Sequence, residues 1–164
     1  MNDNFVEQII ECRATGKDTA IKVLMVVFSI ISFIFLLIPY IGIFLTAAVI
    51  VATFFVFRNS NYEYEYSFVG GELDVDKIIA RSRRKKVGSF DFNRVELVAP
   101  VDSQEAMRLE HNNYKVINVT SNKADAKVYA AFVMNNNEIV KLLFEPDEKM
   151  LGAISYIAPR KVIL

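Results

Sequence analysis

From Val23 to Phe57 the chain carries no charged side chain, and this apolar run is bounded by Lys22 and Arg58 and interrupted only by Pro39-Tyr40-Ile41-Gly42. Written as one helix it would be about 50 Å long, against a hydrocarbon core of roughly 30 Å. Pro39 removes an amide donor and clashes with the preceding turn, and Gly42 tolerates positive φ, so a reversal there is chemically easy. Two apolar segments result, Thr19 to Ile38 and Ile41 to Phe57, each near the length of one span. The expectation is a two-helix transmembrane hairpin.

Two other uses of such a run fit poorly. A secretory signal has an apolar stretch of about 7–15 residues behind a basic start. This run is longer and follows Asp3, Glu7, Glu11 and Asp18. A helical pair inside a soluble protein would show a polar stripe, but apart from Tyr40 the only hydroxyls here are Ser29, Ser32, Thr46 and Thr53.

Orientation follows from the flanks. Arg13, Lys17 and Lys22 precede the first span and Arg58 follows the second, while the intervening turn is uncharged. The turn is then the cheaper segment to translocate, and both termini are expected in the cytoplasm of a cell-membrane protein with two spans. Phe5, Val6, Ile9 and Ile10 recur at helical spacing, which predicts a short interfacial helix on the inner leaflet. The chain thus divides into an interfacial segment over 1–18, the hairpin over 19–58 and a cytoplasmic domain over 61–164.

Charge excludes some partners. Nineteen basic residues balance nineteen acidic ones, so nothing draws the chain globally to nucleic acid. Cys12 is the single cysteine, which excludes an internal disulfide framework and a cysteine-based zinc site. It reads as a small apolar residue of the interfacial helix, with acylation as the alternative. Asn118-Val119-Thr120 fits a glycosylation sequon that has no meaning on a cytoplasmic domain.

After the hairpin the grammar changes to period two. Tyr62, Tyr64, Tyr66 and Phe68 alternate with Glu63, Glu65 and Ser67, the pattern of a strand with one buried face. Gly70-Gly71 makes a hairpin turn and Leu73 to Ala80 returns. Further strands are expected at Lys86 to Phe90, Arg94 to Ala99, Tyr114 to Ser121, Ala126 to Met134 and Glu138 to Phe144, with Asn135-Asn136-Asn137 turning between the last two. Asp102 to Asn112 reads as a short helix or a polar excursion. Pro146 and Asp147 then open a final helix whose Met150, Leu151, Ile154 and Ile157 share one face, and Pro159 stops it.

Seven short strands followed by an amphipathic helix, together with the segments YEYEYSF from Tyr62, GELDVDKI from Gly71, the basic turn RSRRKK from Arg81 and LFEPDEKM from Leu143, resemble the bacterial PH-like (pleckstrin-homology-like) domains that follow membrane hairpins. The chain is similar in particular to a clostridial family with no assigned function. The resemblance implies an α+β membrane protein in which a seven-stranded antiparallel β-barrel is plugged by a C-terminal α-helix. It also implies a module that binds lipids, peptides or neighbouring subunits, and it brings no catalytic residues.

Lipid-binding PH domains commonly gather basic residues after the first strand, yet that loop here is Val69-Gly70-Gly71-Glu72. The basic residues lie one turn later. If the first strand leaves the bilayer at Tyr62 and the second returns, the turn from Arg81 to Lys86 comes back to the membrane. Arg81, Arg83, Arg84, Lys85 and Lys86 are then expected to face anionic lipid headgroups, each contributing on the order of 1 kcal/mol. An ordinary solvated turn is the alternative.

Catalysis has little support. His111 stands alone among Glu110, Asn112 and Asn113, and neither a phosphate loop, a zinc spacing nor a serine elbow accompanies it. Glu63 with Glu65 and Asp74 with Asp76 share strand faces, but alternation explains them. No enzymatic activity, cofactor or metal is expected. The expected role is a membrane-anchored interaction module. The alternative is a structural subunit, bound to another membrane protein or to copies of itself, since Gly42, Thr46, Ala47, Ala48, Ala52 and Thr53 supply small side chains in the second span.

Overall fold

The computed structural model describes residues 5–12, 16–38, 40–59, 62–110, 113–135 and 138–163. Pro39, His111 and Asn136-Asn137, on which the hairpin break, the lone histidine and a turn were read, lie outside the described residues.

The first described element is a strand, β1 (Val6–Glu11), and not the expected interfacial helix. The correction has a simple cause. Val6, Gln8 and Ile10 alternate with Glu7, Ile9 and Glu11, and this period of two fits a sheet edge better than the helical spacing fits a membrane surface. Ile10 is buried. The apolar helices follow as α1 (Gly16–Ser32), a 3-10 turn over Phe33–Leu37, and α2 (Ile41–Asn59).

The remaining strands are β2 (Tyr62–Val69), β3 (Glu72–Ile79), β4 (Arg83–Asp91), β5 (Leu97–Pro100), β6 (Lys115–Asn118), β7 (Tyr129–Asn135) and β8 (Glu138–Phe144). Helix α3 (Gln104–Leu109) occupies the stretch read as a helix or excursion, and α4 (Glu148–Ile157) follows β8. The sheet has eight strands in the order β1-β2-β3-β4-β7-β8-β6, with β5 also paired to β7. It is open rather than a closed seven-stranded barrel, and it is mostly antiparallel, with β6 parallel to β8. The joint between β4 and β7 is a single pair, Asp91 with Met134.

Side chains tie the seam that no strand ladder closes. The Gln8 amide donates to the Glu145 carbonyl at 2.8 Å and accepts from the Asp147 amide at 2.9 Å. The buried Tyr66 hydroxyl donates to the Val119 carbonyl at 2.9 Å, and burial raises its pKa. The core inside the curl is aromatic, with Tyr66, Phe68, Phe90, Phe92 and Phe144 fully buried beside Met150 and Ile154 of α4. Asp147 caps α4 by accepting from the Met150 amide at 2.8 Å. A smaller cluster of Ala99, Ala106, Ala130 and Phe132 packs α3 on the other face of the sheet.

The hairpin has its own seam. In α1, Asp18, Lys22, Met25, Ser29 and Ser32 are the least exposed positions, and in α2 they are Gly42, Thr46, Val49, Thr53 and Val56, alternating steps of four and three. Ser29 and Thr53 share a hydrogen bond of 2.8 Å, and the Thr46 hydroxyl donates to the Ser32 carbonyl at 2.8 Å. The positive φ expected at Gly42 falls instead on Tyr40, at 65°. Glycine is required at 42 for closeness, because a Cβ there would stand 1.8 Å from the Phe35 carbonyl oxygen. Ala47, Ala48 and Ala52 face outward.

Two tight turns join β2, β3 and β4. Gly70 and Gly71 take φ of 58° and 88° in the first, as a two-residue hairpin demands. In the second, Ala80 and Arg81 take φ of 52° and 54°, and the Ser82 amide donates to the Ile79 carbonyl at 3.2 Å. Side chains at such angles cost about 1–2 kcal/mol each. Replacing Ala80 with Asn and Arg81 with Gly should therefore stabilise the sheet by about 1 kcal/mol, since the Arg81 ion pairs given up are solvated and weak. A raised thermal midpoint in detergent is the expected reading, and a lowered one would contradict the left-handed turn.

Candidate membrane-proximal site

The hairpin is inserted between two strands of one sheet. Strand β1 runs toward it and β2 runs away, paired antiparallel with Glu11 opposite Glu63 and the Cys12 amide donating to the Tyr62 carbonyl at 3.2 Å. Tyr62 is also opposite Ile79, and Ile79 is opposite Arg83, so the β3–β4 turn stands at the same end of the sheet as the hairpin's two ends. Arg58 closes α2 beside it.

The five basic residues singled out in the sequence do not form one turn. Only Arg81 lies in it, and Arg83 to Lys86 belong to β4, where alternation splits them between faces. On one face Arg84 meets Glu65 at 2.6 Å and Asp76 at 3.8 Å, and Lys86 meets Asp74 at 2.9 Å. Arg81 reaches Glu63 at 3.4 Å and Glu11 at 3.9 Å. Arg83 and Lys85 alternate to the opposite face and have no ion pair among the described residues, and the same holds for Arg58.

The acidic side chains of this ladder are perturbed unequally. Glu65 is only 7% exposed, and burial together with a hydrogen bond to Glu7 raises its pKa against the pull of Arg84. Asp74 is partly desolvated as well, but hydrogen bonds from Ser89 and Lys86 win and lower it. Sequence alternation placed Glu63 with Glu65 and Asp74 with Asp76 on one face; the strand register then supplied their cations. No group of three or more His, Cys, Asp or Glu among the described residues is placed to hold a metal ion.

Two cavities flank the hairpin base. The larger, about 500 Å³, is lined by Glu11, Cys12, Arg58, Tyr62, Glu63 and Arg81 among others. The smaller, about 210 Å³, is lined by Phe55, Arg58, Ile79, Ala80, Ser82 and Arg83. Cys12 lies against the core, its thiol directed at the Ile10 and Thr120 carbonyls, and burial, aided by Glu145, pushes its pKa up to about 11. Tyr64, beside it, is pushed up to about 12, mainly by burial. Lys77 lies 3.5 Å from the centre of the Tyr62 ring, a cation–π contact at the same end of the sheet.

An open, curled, mostly antiparallel sheet packed on a C-terminal helix, with two long apolar helices set between its first two strands, defines a PH-like domain bearing a candidate membrane hairpin. The chain belongs to the family described as Bacterial PH-like domain (DUF6106), which matches residues 2–164. No curated protein and no solved structure matches the chain. Neither the β1 strand nor the Arg58 contribution to the site was read from the sequence. Alternation in VEQIIE was the available signal for the first, and none was available for the second.

Proposed function

We propose that the chain is a non-enzymatic, membrane-anchored interaction module, with the hairpin crossing the cell membrane twice and the PH-like domain held at its inner face. PH-like domains are in general binding modules. The observation that carries the reading is the exposure of the hairpin. Gly16–Leu37 and Ile41–Arg58 are long and apolar enough to cross a membrane, and only 6% and 11% of their apolar windows are buried. The domain has a complete core without them, so this surface has no partner in water. Because β1 and β2 pair in one sheet, both ends of the hairpin share a side of the membrane, which supports two spans over one tilted span. Lys17, Lys22 and Arg58 at that end favour the cytoplasm. On this reading Arg81, Arg83, Arg84, Lys85 and Lys86 stand near the anionic leaflet, where Arg83 and Lys85, free of carboxylates, contribute most.

The test is thiol accessibility, and Cys12 is a poor reporter. A pKa near 11 in place of 9.0 leaves about a hundredfold less thiolate at neutral pH. In a Cys12→Ala background, a cysteine at Tyr156, which is 77% exposed, should resist an impermeant maleimide in sealed cells and react after lysis. A cysteine at Tyr40, 84% exposed between the helices, should do the reverse. Equal labelling of both in sealed cells would overturn the topology.

A second reading, as a structural subunit packed against another membrane protein or a second copy, is favoured by Ala48 and Ala52. The hairpin's own seam uses Gly42, Thr46 and Thr53 and leaves these two outside, four residues apart. Cross-linking in native membranes separates a hetero-partner from self-association.

A further inference from the structure

We propose that the smaller junctional cavity, between the end of α2 and the β3–β4 turn, binds the phosphate of one anionic phospholipid, with Arg58 and Arg83 as its cationic walls. The inference deepens the membrane-anchor reading and rests on it.

Charge separates the two cavities. In the larger one, Arg58 and Arg81 stand with Glu11 and Glu63, and Arg81 is within ion-pair distance of both carboxylates. Its charge is balanced, and an anion gains little by entering. The smaller cavity has two guanidinium groups and no carboxylate in its lining, and neither arginine has an ion pair among the described residues. Guanidinium donors in a fixed fork suit phosphate oxygens, and the Ser82 hydroxyl adds a neutral donor.

The remaining lining identifies the source of the phosphate. Phe55 lies on α2 one turn before Arg58, inside the apolar run, and Ile79 closes the opposite wall. A phosphate held by Arg58 and Arg83 has its glycerol and acyl chains beside Phe55, along the apolar surface of the helix. A soluble phosphate ester would leave that wall unused. The left-handed Ala80-Arg81 pair contributes by turning the chain sharply enough to bring Ser82 and Arg83 back against the hairpin. Two guanidiniums would also repel a choline headgroup, so an anionic lipid is preferred to a zwitterionic one.

The full chain, purified in mild detergent and exchanged into phosphatidylglycerol or phosphatidylcholine micelles, should retain one phosphatidylglycerol per chain by native mass spectrometry and no phosphatidylcholine. Arg58→Gln with Arg83→Gln should weaken retention roughly tenfold or more. Lys149→Gln with Lys161→Gln, exposed on and just after the C-terminal helix and outside both cavities, should leave it unchanged. Both variants alter exposed side chains, and unchanged sheet ellipticity checks their fold. Glycerol phosphate added in excess should not displace the lipid. Undiminished retention by the double-arginine variant, or equal loss from the double-lysine variant, would overturn the site; displacement by glycerol phosphate would overturn the lipid assignment. The maleimide experiment on the same chains reads membrane topology separately, so a failed site with intact topology is distinguishable from a failed anchor.

Discussion

A chain that starts at Asn61, without β1 and the hairpin, is expected not to fold stably, whereas one in which Cys12 is joined to Tyr62 by a short Asn-Gly turn should fold as a soluble β domain. Strand β1 extends the inner face of the sheet beside β2, with Val6 opposite Phe68, Gln8 opposite Tyr66 and Ile10 opposite Tyr64. Burying Ile10 contributes about 1.5–3 kcal/mol and half-buried Val6 about half as much, and the two Gln8 hydrogen bonds about 1 kcal/mol each. Their loss, on the order of 5 kcal/mol, rivals the whole stability of a small domain, about 5–15 kcal/mol. Joining the strands directly is feasible because the Cys12 amide already bonds the Tyr62 carbonyl, so a two-residue loop continues an existing ladder. Denaturant titration of the two proteins decides. Equal midpoints would show that β1 is dispensable and that the domain is complete from Asn61.

That expectation also shows where sequence reasoning stopped. Tyr62 to Phe68 was legible because large aromatics alternate with carboxylates over a whole strand, and Glu138–Phe144 was bounded correctly by turn residues on either side. The first strand was not, since Phe5, Val6, Ile9 and Ile10 satisfy helical spacing as well as half of a strand pattern, and fifty residues, most of them the hairpin, separate it from its partner. Local patterning carries no signal for a pairing across such an insertion. The parallel placement of β6 beside β8 escaped for the same reason.

The basic residues show a subtler limit. Composition placed five cations within six positions, but a sequence window cannot tell a turn from a strand start. The register shift at Val75/Asp76 sets Lys86 opposite Asp76, with Arg84 two positions earlier beside Glu65. Arg81, Arg84 and Lys86 meet carboxylates, while Arg83 and Lys85 have no ion pair among the described residues, so on the proposed reading these two are the ones left to face headgroups. Arg58, read only as a flank of the hairpin, joins them because α2 ends against the turn.

The helix over the curl supplies the sharpest contrast between positions on one element. Ile154 is fully buried in α4, in one apolar cluster with Phe92, Phe144 and Met150, while Tyr156, two residues on, is 77% exposed. In the full chain, Ile154→Asp should unfold the sheet. It removes a buried aliphatic group, worth about 2–5 kcal/mol, and puts a carboxylate into an apolar cluster, which costs several kcal/mol more. Met150→Ala should fall between, at about 2–5 kcal/mol, because it leaves a cavity without a charge. Tyr156→Asp should stay within about 0.5 kcal/mol of the parent. Measured by sheet ellipticity in detergent, the order Tyr156, Met150, Ile154 is expected. A folded Ile154→Asp protein with a parental midpoint would mean that α4 does not plug the curl, and that the core is closed by something other than the C-terminal helix.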